Sequence, residues 1–182
     1  MSRPRTPRRA RRVVTLVALS LCGLSLVVAA CSSTDGTDAS AGPVVVRVVD
    51  GDTVVVRSDA GEETVRLIGV DTPETKHPSK PVQCFGKEAT AFTKSLLPEG
   101  TRVRLERDVE ERDRYDRVLA YVHRADDGVF VNLELARQGF ADVLTIAPNV
   151  AYSSQFVAAV AEARDDQRGL WSACDDFGAP AE

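Results

Sequence analysis

Residues 44–49 and 53–57 are β-branched runs separated only by Asp50-Gly51-Asp52. Segments joined by so short an acid-glycine turn pair most readily as an antiparallel hairpin. A second turn at Asp59-Ala60-Gly61 leads into residues 63–69, where Val65 and Leu67 alternate with Thr64, Arg66 and Ile68 as on a half-buried strand. A three-strand meander follows, and its last strand runs directly into RLIGVDTPET, residues 66–75. That stretch sets a guanidinium at Arg66, carboxylates at Asp71 and Glu74 and a turn-forming Thr72-Pro73 step at the end of an apolar strand. Charge so concentrated is costly there unless it binds something. Oxygen ligands suit a hard cation such as Ca²⁺ or Mg²⁺, and a guanidinium beside a metal-bound anion points to phosphate.

The remainder extends this frame. Phe85, Ala89, Phe92 and Leu96 fall at helical spacing, and Pro98-Glu99-Gly100 stops that helix. Residues 101–107 and 119–123 alternate as a fourth and a fifth strand, joined by a charged connection. Asn132 is placed to cap a short helix through Gln138, and Ser153 or Ser154 to cap another that buries Phe156, Val160 and Ala163. Trp171, after the last helix, reads as a core anchor. The pattern predicts an α+β domain: a five-stranded antiparallel sheet curled into a small OB-like barrel, with about three α-helices.

Residues 1–30 stand apart. Six arginines precede the apolar run 13–28, which ends in Ala29-Ala30 ahead of Cys31. This is the pattern of an export signal. A plain signal-peptidase site and a single membrane span are alternatives, but the apolar run is short for a span. The small-small-Cys ending resembles the lipobox of bacterial lipoproteins, which would make Cys31 the lipidated N-terminus. Residues 31–43 then form a polar linker, 44–175 the folded domain and 176–182 a C-terminal tail. The expected location is extracytoplasmic, anchored to the outer face of the membrane through Cys31 or released from it. The whole chain carries 23 Lys and Arg against 27 Asp and Glu; without the six signal arginines, 17 remain against 27, about −10. Such acidity excludes broad adhesion to nucleic acid, which uses a basic surface. A polyanionic substrate would have to be attracted locally or through a bound cation.

Of four cysteines, Cys22 lies in the signal and Cys31 at its end. Cys84 and Cys174 remain as an even pair in an exported protein, and a disulfide between them is expected. His77 and His123 are the sole histidines and lack Cys or His partners at ligand spacing, which argues against a transition-metal site.

A lone Asp-Gly-Asp is ordinarily turn chemistry. Here Asp52 and Asp71 sit on adjacent strands of one meander, so both can reach the same rim. Two carboxylates, the Thr72 carbonyl and several waters would suit Ca²⁺ with positions left for substrate oxygens. Arg66 and Arg117, each unremarkable alone, have a joint use beside such a cation. Two guanidiniums neutralise charge on the equatorial oxygens during phosphoryl transfer. Glu74 is placed to orient or deprotonate an attacking water.

VDGDTV, RLIGVDTPETKHP, DRYDRVLAYV, NLELARQGFA and a terminal GLW occur in the order and approximate spacing of the staphylococcal nuclease (thermonuclease) family. The resemblance covers about residues 44–171. It implies an OB-like barrel and Ca²⁺-dependent cleavage of DNA and RNA at the bond to the 5′ oxygen, leaving 3′-phosphates. By position Asp52, Asp71 and the Thr72 carbonyl resemble the metal ligands, Arg66 and Arg117 the phosphate-binding arginines, and Glu74 the residue behind the attacking water. Arg114 and Tyr115 resemble the pair holding a terminal phosphate, with Arg114 in place of a lysine, and Lys80 a loop lysine. The resemblance implies single-stranded or unstructured DNA and RNA as partners of a monomer. One departure stands out: base-stacking tyrosines after the RQG motif are replaced by residues 143–147, Val-Leu-Thr-Ile-Ala, in a segment one residue shorter. A barrel that has lost catalysis and only binds nucleic acid or protein is the rival reading, and it is disfavoured by the joint presence of Arg66, Glu74 and Arg117.

Overall fold

A computed structural model describes residues 42–76, 79 and 81–177. The expected export signal, the expected lipidation site Cys31, most of the expected linker, His77, Lys80 and positions 178–182 lie outside the described residues. The elements, in chain order, are β1 (Val44–Asp50), β2 (Thr53–Ser58), β3 (Gly61–Leu67), β4 (Gly69–Asp71), α1 (Gly86–Leu96), β5 (Val103–Glu106), β6 (Val118–Arg124), α2 (Val131–Arg137), β7 (Asp142–Leu144), α3 (Ser153–Asp165) and the short α4 (Leu170–Ala173).

Five strands form one sheet in the order β1-β2-β3-β6-β5. The hairpin and meander expected from residues 44–69 are present, with Val54 opposite Val48 and Val65 opposite Val54. Two register shifts in β1 bend it, as bulges do. Its first residues thereby reach the start of β5: Val44 bridges Arg102, and the Val45 amide donates to the Thr101 carbonyl at 2.8 Å. The sheet is barrel-like without closing along its full length.

One expectation is corrected. The sheet is mixed, because β3 and β6 pair in parallel at Val65–Val118, Arg66–Leu119 and Leu67–Ala120. The chain leaves β3, passes through α1 and β5, and re-enters beside β3 running the same way; a connection of that length is what parallel neighbours require. A second departure follows directly. The third strand breaks at Ile68-Gly69, where Gly69 has φ 86°; a Cβ at Gly69 would lie 2.2 Å from the Phe156 ring. Beyond the break, β4 leaves the main sheet and pairs antiparallel with β7.

The core is the inner face of the sheet, with Val54, Val65, Leu67, Val103, Val118 and Val122 fully buried, covered by Phe156, Val160 and Ala163 of α3 and Leu135 of α2. Tyr121 meets Tyr152 edge-on at 4.7 Å and Phe130 at 6.0 Å, the preferred geometry for aromatic pairs. Neither proposed serine cap forms: α3 starts after Tyr152 with no side-chain cap bond. Asn132 is not a cap either. It lies fully buried within α2, where its Oδ1 accepts from the Val122 amide at 2.9 Å and its Nδ2 donates to the carbonyls of Ile68 and Ala120. Buried main-chain groups at the β3–β6 seam need partners, and that demand outweighs capping. Trp171 is half-buried against the core rather than enclosed by it, with the Arg164 guanidinium 4.2 Å above its ring.

The C-terminal end is fastened twice. Gly139 and Gly169 meet backbone to backbone, with the Leu170 amide donating to the Gly139 carbonyl at 2.8 Å; a Cβ at Gly139 would sit 2.2 Å from the Arg168 oxygen. The expected disulfide joins Cys84, just ahead of α1, to Cys174, just after α4, with Cα atoms 6.0 Å apart.

Candidate active site

The turn between β1 and β2 packs against the stretch after β4. A Cβ at Gly51 would fall 2.6–2.9 Å from the Thr72 side chain, so only glycine permits this approach. Asp52, buried in that turn, accepts through Oδ2 from both the amide and the hydroxyl of Thr72, at 3.0 and 3.1 Å. Arg66, opposite Thr53 in the β2–β3 register, extends Nη1 to 3.1 Å from the same oxygen. Its Nη2 donates to Asp71 Oδ1 at 3.0 Å. One guanidinium therefore bridges the two carboxylates anticipated as metal ligands, and further bonds to the carbonyls of Leu67 and Val70 fix its plane.

Behind this pair lies a second acid pair. Asp50 is held by the hydroxyls of Thr75 and Thr90 at 2.8 and 3.1 Å and by the Gly51 amide, and it shares a hydrogen bond with the Glu74 carboxyl. Burial and the Asp50 bond push Glu74 above the usual carboxylate range, while Asp50 is pulled below it by its hydrogen bonds, which outweigh burial. Asp71 is raised to about 6 by burial and then by the Asp52 charge, with Arg66 opposing.

Arg117 comes from the other side. Its Nε donates to Asp113 Oδ2 at 2.7 Å and its amide to Asp113 Oδ1 at 3.0 Å. The same Asp113 oxygen also accepts from the Tyr115 amide, which winds residues 113–117 into a tight loop. Tyr115, exposed, lies beneath two guanidiniums, Arg114 at 4.7 Å and Arg117 at 5.5 Å from its ring centre. Arg66, Arg117, Arg114 and Tyr115 line one cleft of about 480 Å³. Its far wall is aliphatic, built from Leu119, Leu144 and Ile146, so the residues replacing the expected tyrosines do face the site.

The predicted residues thus converge, except that Lys80 lies outside the described residues. Asp113, Asn149 and Asp50 were not anticipated as parts of the site. Asp113 stands four residues before Arg117 inside DRYDR, a spacing that could have marked it. Asn149, whose side chain binds both main-chain groups of Glu110 at 2.8 and 2.9 Å, carries no local signal.

The donor set fits a hard cation. Asp52, Asp71 and Thr72 offer only oxygen, and the two carboxylates share the single guanidinium of Arg66. Among the described residues no three His, Cys, Asp or Glu side chains form a ready metal cage. A cation would rest on two carboxylates, with other oxygens completing its shell.

The profile of the family described as Staphylococcal nuclease homologue matches residues 64–173, which carry the end of β3, Asp71, Glu74 and both arginines, while Asp50 and Asp52 precede the match. This chain belongs to the staphylococcal nuclease family. The thermonuclease of Staphylococcus hyicus is 44% identical over 128 residues, spanning 70% of this chain and 74% of that protein. The thermonuclease of Staphylococcus intermedius is 46% identical over 128 residues with the same coverage. Endonuclease YncB of Bacillus subtilis (strain 168) is 41% identical over 128 residues, 69% of this chain and 59% of that protein. As a staphylococcal nuclease relative, the chain has the OB-like α+β fold expected from its sequence, with the parallel β3–β6 seam as part of it.

Proposed function

We propose that this chain is a Ca²⁺-dependent endonuclease that hydrolyses phosphodiester bonds of DNA and RNA at the 5′ oxygen, leaving 3′-phosphates. The observation that carries this reading is the meeting of Arg66 and Arg117, from distant parts of the chain, in one cleft, with the Arg66 guanidinium bonded also to Asp52 and Asp71. Names of the similar proteins, thermonuclease and endonuclease, support it.

Asp52, Asp71 and the Thr72 carbonyl would hold Ca²⁺, which when bound supplies positive charge to offset that of the phosphate. Arg66 and Arg117 grip the non-bridging phosphate oxygens and stabilise the charge that grows as water attacks phosphorus. Glu74 takes the proton of that water. The new P–O bond forms as the bond from phosphorus to the 5′ oxygen breaks, and that oxygen leaves as a hydroxyl after taking a proton from solvent water. Arg114 and Tyr115 hold a terminal phosphate, and Lys80 joins the substrate contacts. With about ten excess negative charges outside the signal segment, binding depends on the cation and the two arginines, so unstructured single strands are the favoured substrate. The aliphatic wall lacks the stacking worth roughly 1–3 kcal/mol per base, which predicts weak base preference. The protein acts as a monomer outside the cytoplasm, tethered to the membrane through lipidated Cys31.

The test is incubation with single-stranded DNA and RNA with and without Ca²⁺, alongside Glu74→Gln. Cleavage that requires Ca²⁺, stops in chelator and falls at least about 100-fold in the variant supports the assignment. Full activity in chelator overturns the metal role, and no cleavage by the parent leaves the binding-module reading.

A further inference from the structure

Glu74 is held from behind by one residue. The Oε1 of Gln83 accepts the Glu74 amide at 2.6 Å, and the Gln83 amide donates to the Glu74 carbonyl at 2.9 Å. Both main-chain groups of Glu74 are thereby satisfied by a single partner nine positions away. The Gln83 carbonyl in turn accepts from the Gly86 amide at 3.0 Å. Gly86 sits so close to the Glu74 stretch that a Cβ there would lie 3.0 Å from the Pro73 oxygen and 3.1 Å from the Glu74 oxygen. The next residue, Cys84, is bonded covalently to Cys174. The Glu74 backbone is clamped on a braced corner, while its carboxyl faces Asp50 and the Lys76 amide.

We propose that Gln83 is a positioning residue for Glu74, fixing the main chain from which that carboxylate reaches the attacking water, with the Cys84–Cys174 bridge bracing the corner. The inference rests on the role assigned to Glu74 above. It predicts that the side-chain oxygen at position 83 is what matters, because misplacing a reacting group by even about 1 Å costs on the order of 100-fold in rate. A glutamate keeps an acceptor there; a methionine keeps the length and loses it.

The full chain is compared as parent, Gln83→Met and Gln83→Glu, in steady-state cleavage of a single-stranded oligonucleotide with Ca²⁺ and in amide hydrogen exchange without metal. Expected is a kcat about 10-fold lower for Gln83→Met with KM within about twofold, recovery to within about threefold of the parent in Gln83→Glu, and faster exchange of the Glu74 amide in Gln83→Met alone. A Gln83→Met enzyme with parental kcat, or a Gln83→Glu enzyme as impaired as Gln83→Met, overturns the proposal. Unchanged exchange at Glu74 removes the clamp itself, whatever the rates. A parent that does not cleave, with the exchange difference intact, overturns the function assigned to Glu74 and leaves the clamp standing.

Discussion

Asp113 grips Arg117 at two points, the side-chain Nε at 2.7 Å and the amide at 3.0 Å. The carboxylate aims the guanidinium and shapes the loop that presents it. Asp113→Ala should free both donors and cost roughly 10- to 100-fold in kcat/KM, while Arg117→Ala should cost on the order of 100- to 1,000-fold, as loss of a transition-state donor does. Steady-state cleavage of a defined oligonucleotide measures both. Equal rates in Asp113→Ala and the parent would mean that Arg117 needs no such guide.

The buried Asn132 amide serves three main-chain groups on β6 and at the end of β3. Asn132→Ala leaves all three without that partner, and each unsatisfied buried group costs roughly 1–3 kcal/mol. A loss of roughly 3–5 kcal/mol is expected in urea unfolding, near the upper end for single substitutions. A loss below about 1 kcal/mol would show that water replaces the side chain without penalty.

The disulfide closes a loop with a sequence separation of 90. Cross-links of this reach stabilise by roughly 2–4 kcal/mol, so the paired Cys84→Ser, Cys174→Ser variant should melt roughly 10 °C lower in calorimetry. Cleavage should persist at a reduced rate, because Asp52, Asp71 and the two arginines are held by contacts of their own and the bridge braces only the corner behind Glu74. A melting temperature indifferent to reductant would show that the bridge adds no stability.

His123 is buried, stacks on Phe130 at 4.4 Å and faces Arg104 and Glu106. Burial, followed by the Arg104 charge, holds its pKa below the ordinary 6.5, with Glu106 opposing. The unfolded chain therefore takes up this proton first, and stability is lost as pH falls below about 6.5. Asp71 acts in the opposite sense across part of that window, since its folded carboxyl titrates near 6. The His123→Phe variant isolates the histidine: between pH 7.5 and 5.5, in chelator, its urea midpoint should fall less than that of the parent. A parallel fall in both proteins would remove His123 from the acid response.

Much of this molecule is legible in its sequence where the signal is local. The meander from 44 to 67 is written in alternation and turn residues, and RLIGVDTPET with DRYDR names both arginines and two acids, Asp71 and Glu74. Long-range relationships are not legible in the same way. The β3–β6 seam joins Val65 to Val118 with nothing in either strand to announce the direction. Strands β4 and β7 have three residues each, too few for a period. Asn132 opens an apolar helical pattern as a cap would, and only burial at the seam shows its other use. Asp50 resembles a turn residue, yet its carboxylate receives hydroxyls from positions 75 and 90.

The contact between Gly139 and Gly169 bears on how the domain matures. Main-chain packing alone brings the segment ending at Cys174 alongside the domain, before any sulfur chemistry is needed. Oxidation then becomes a closing event between thiols already presented to each other, with no competing partner among the cysteines of the folded domain. The native topology is then within reach with both thiols reduced, and the bridge seals what packing has already chosen.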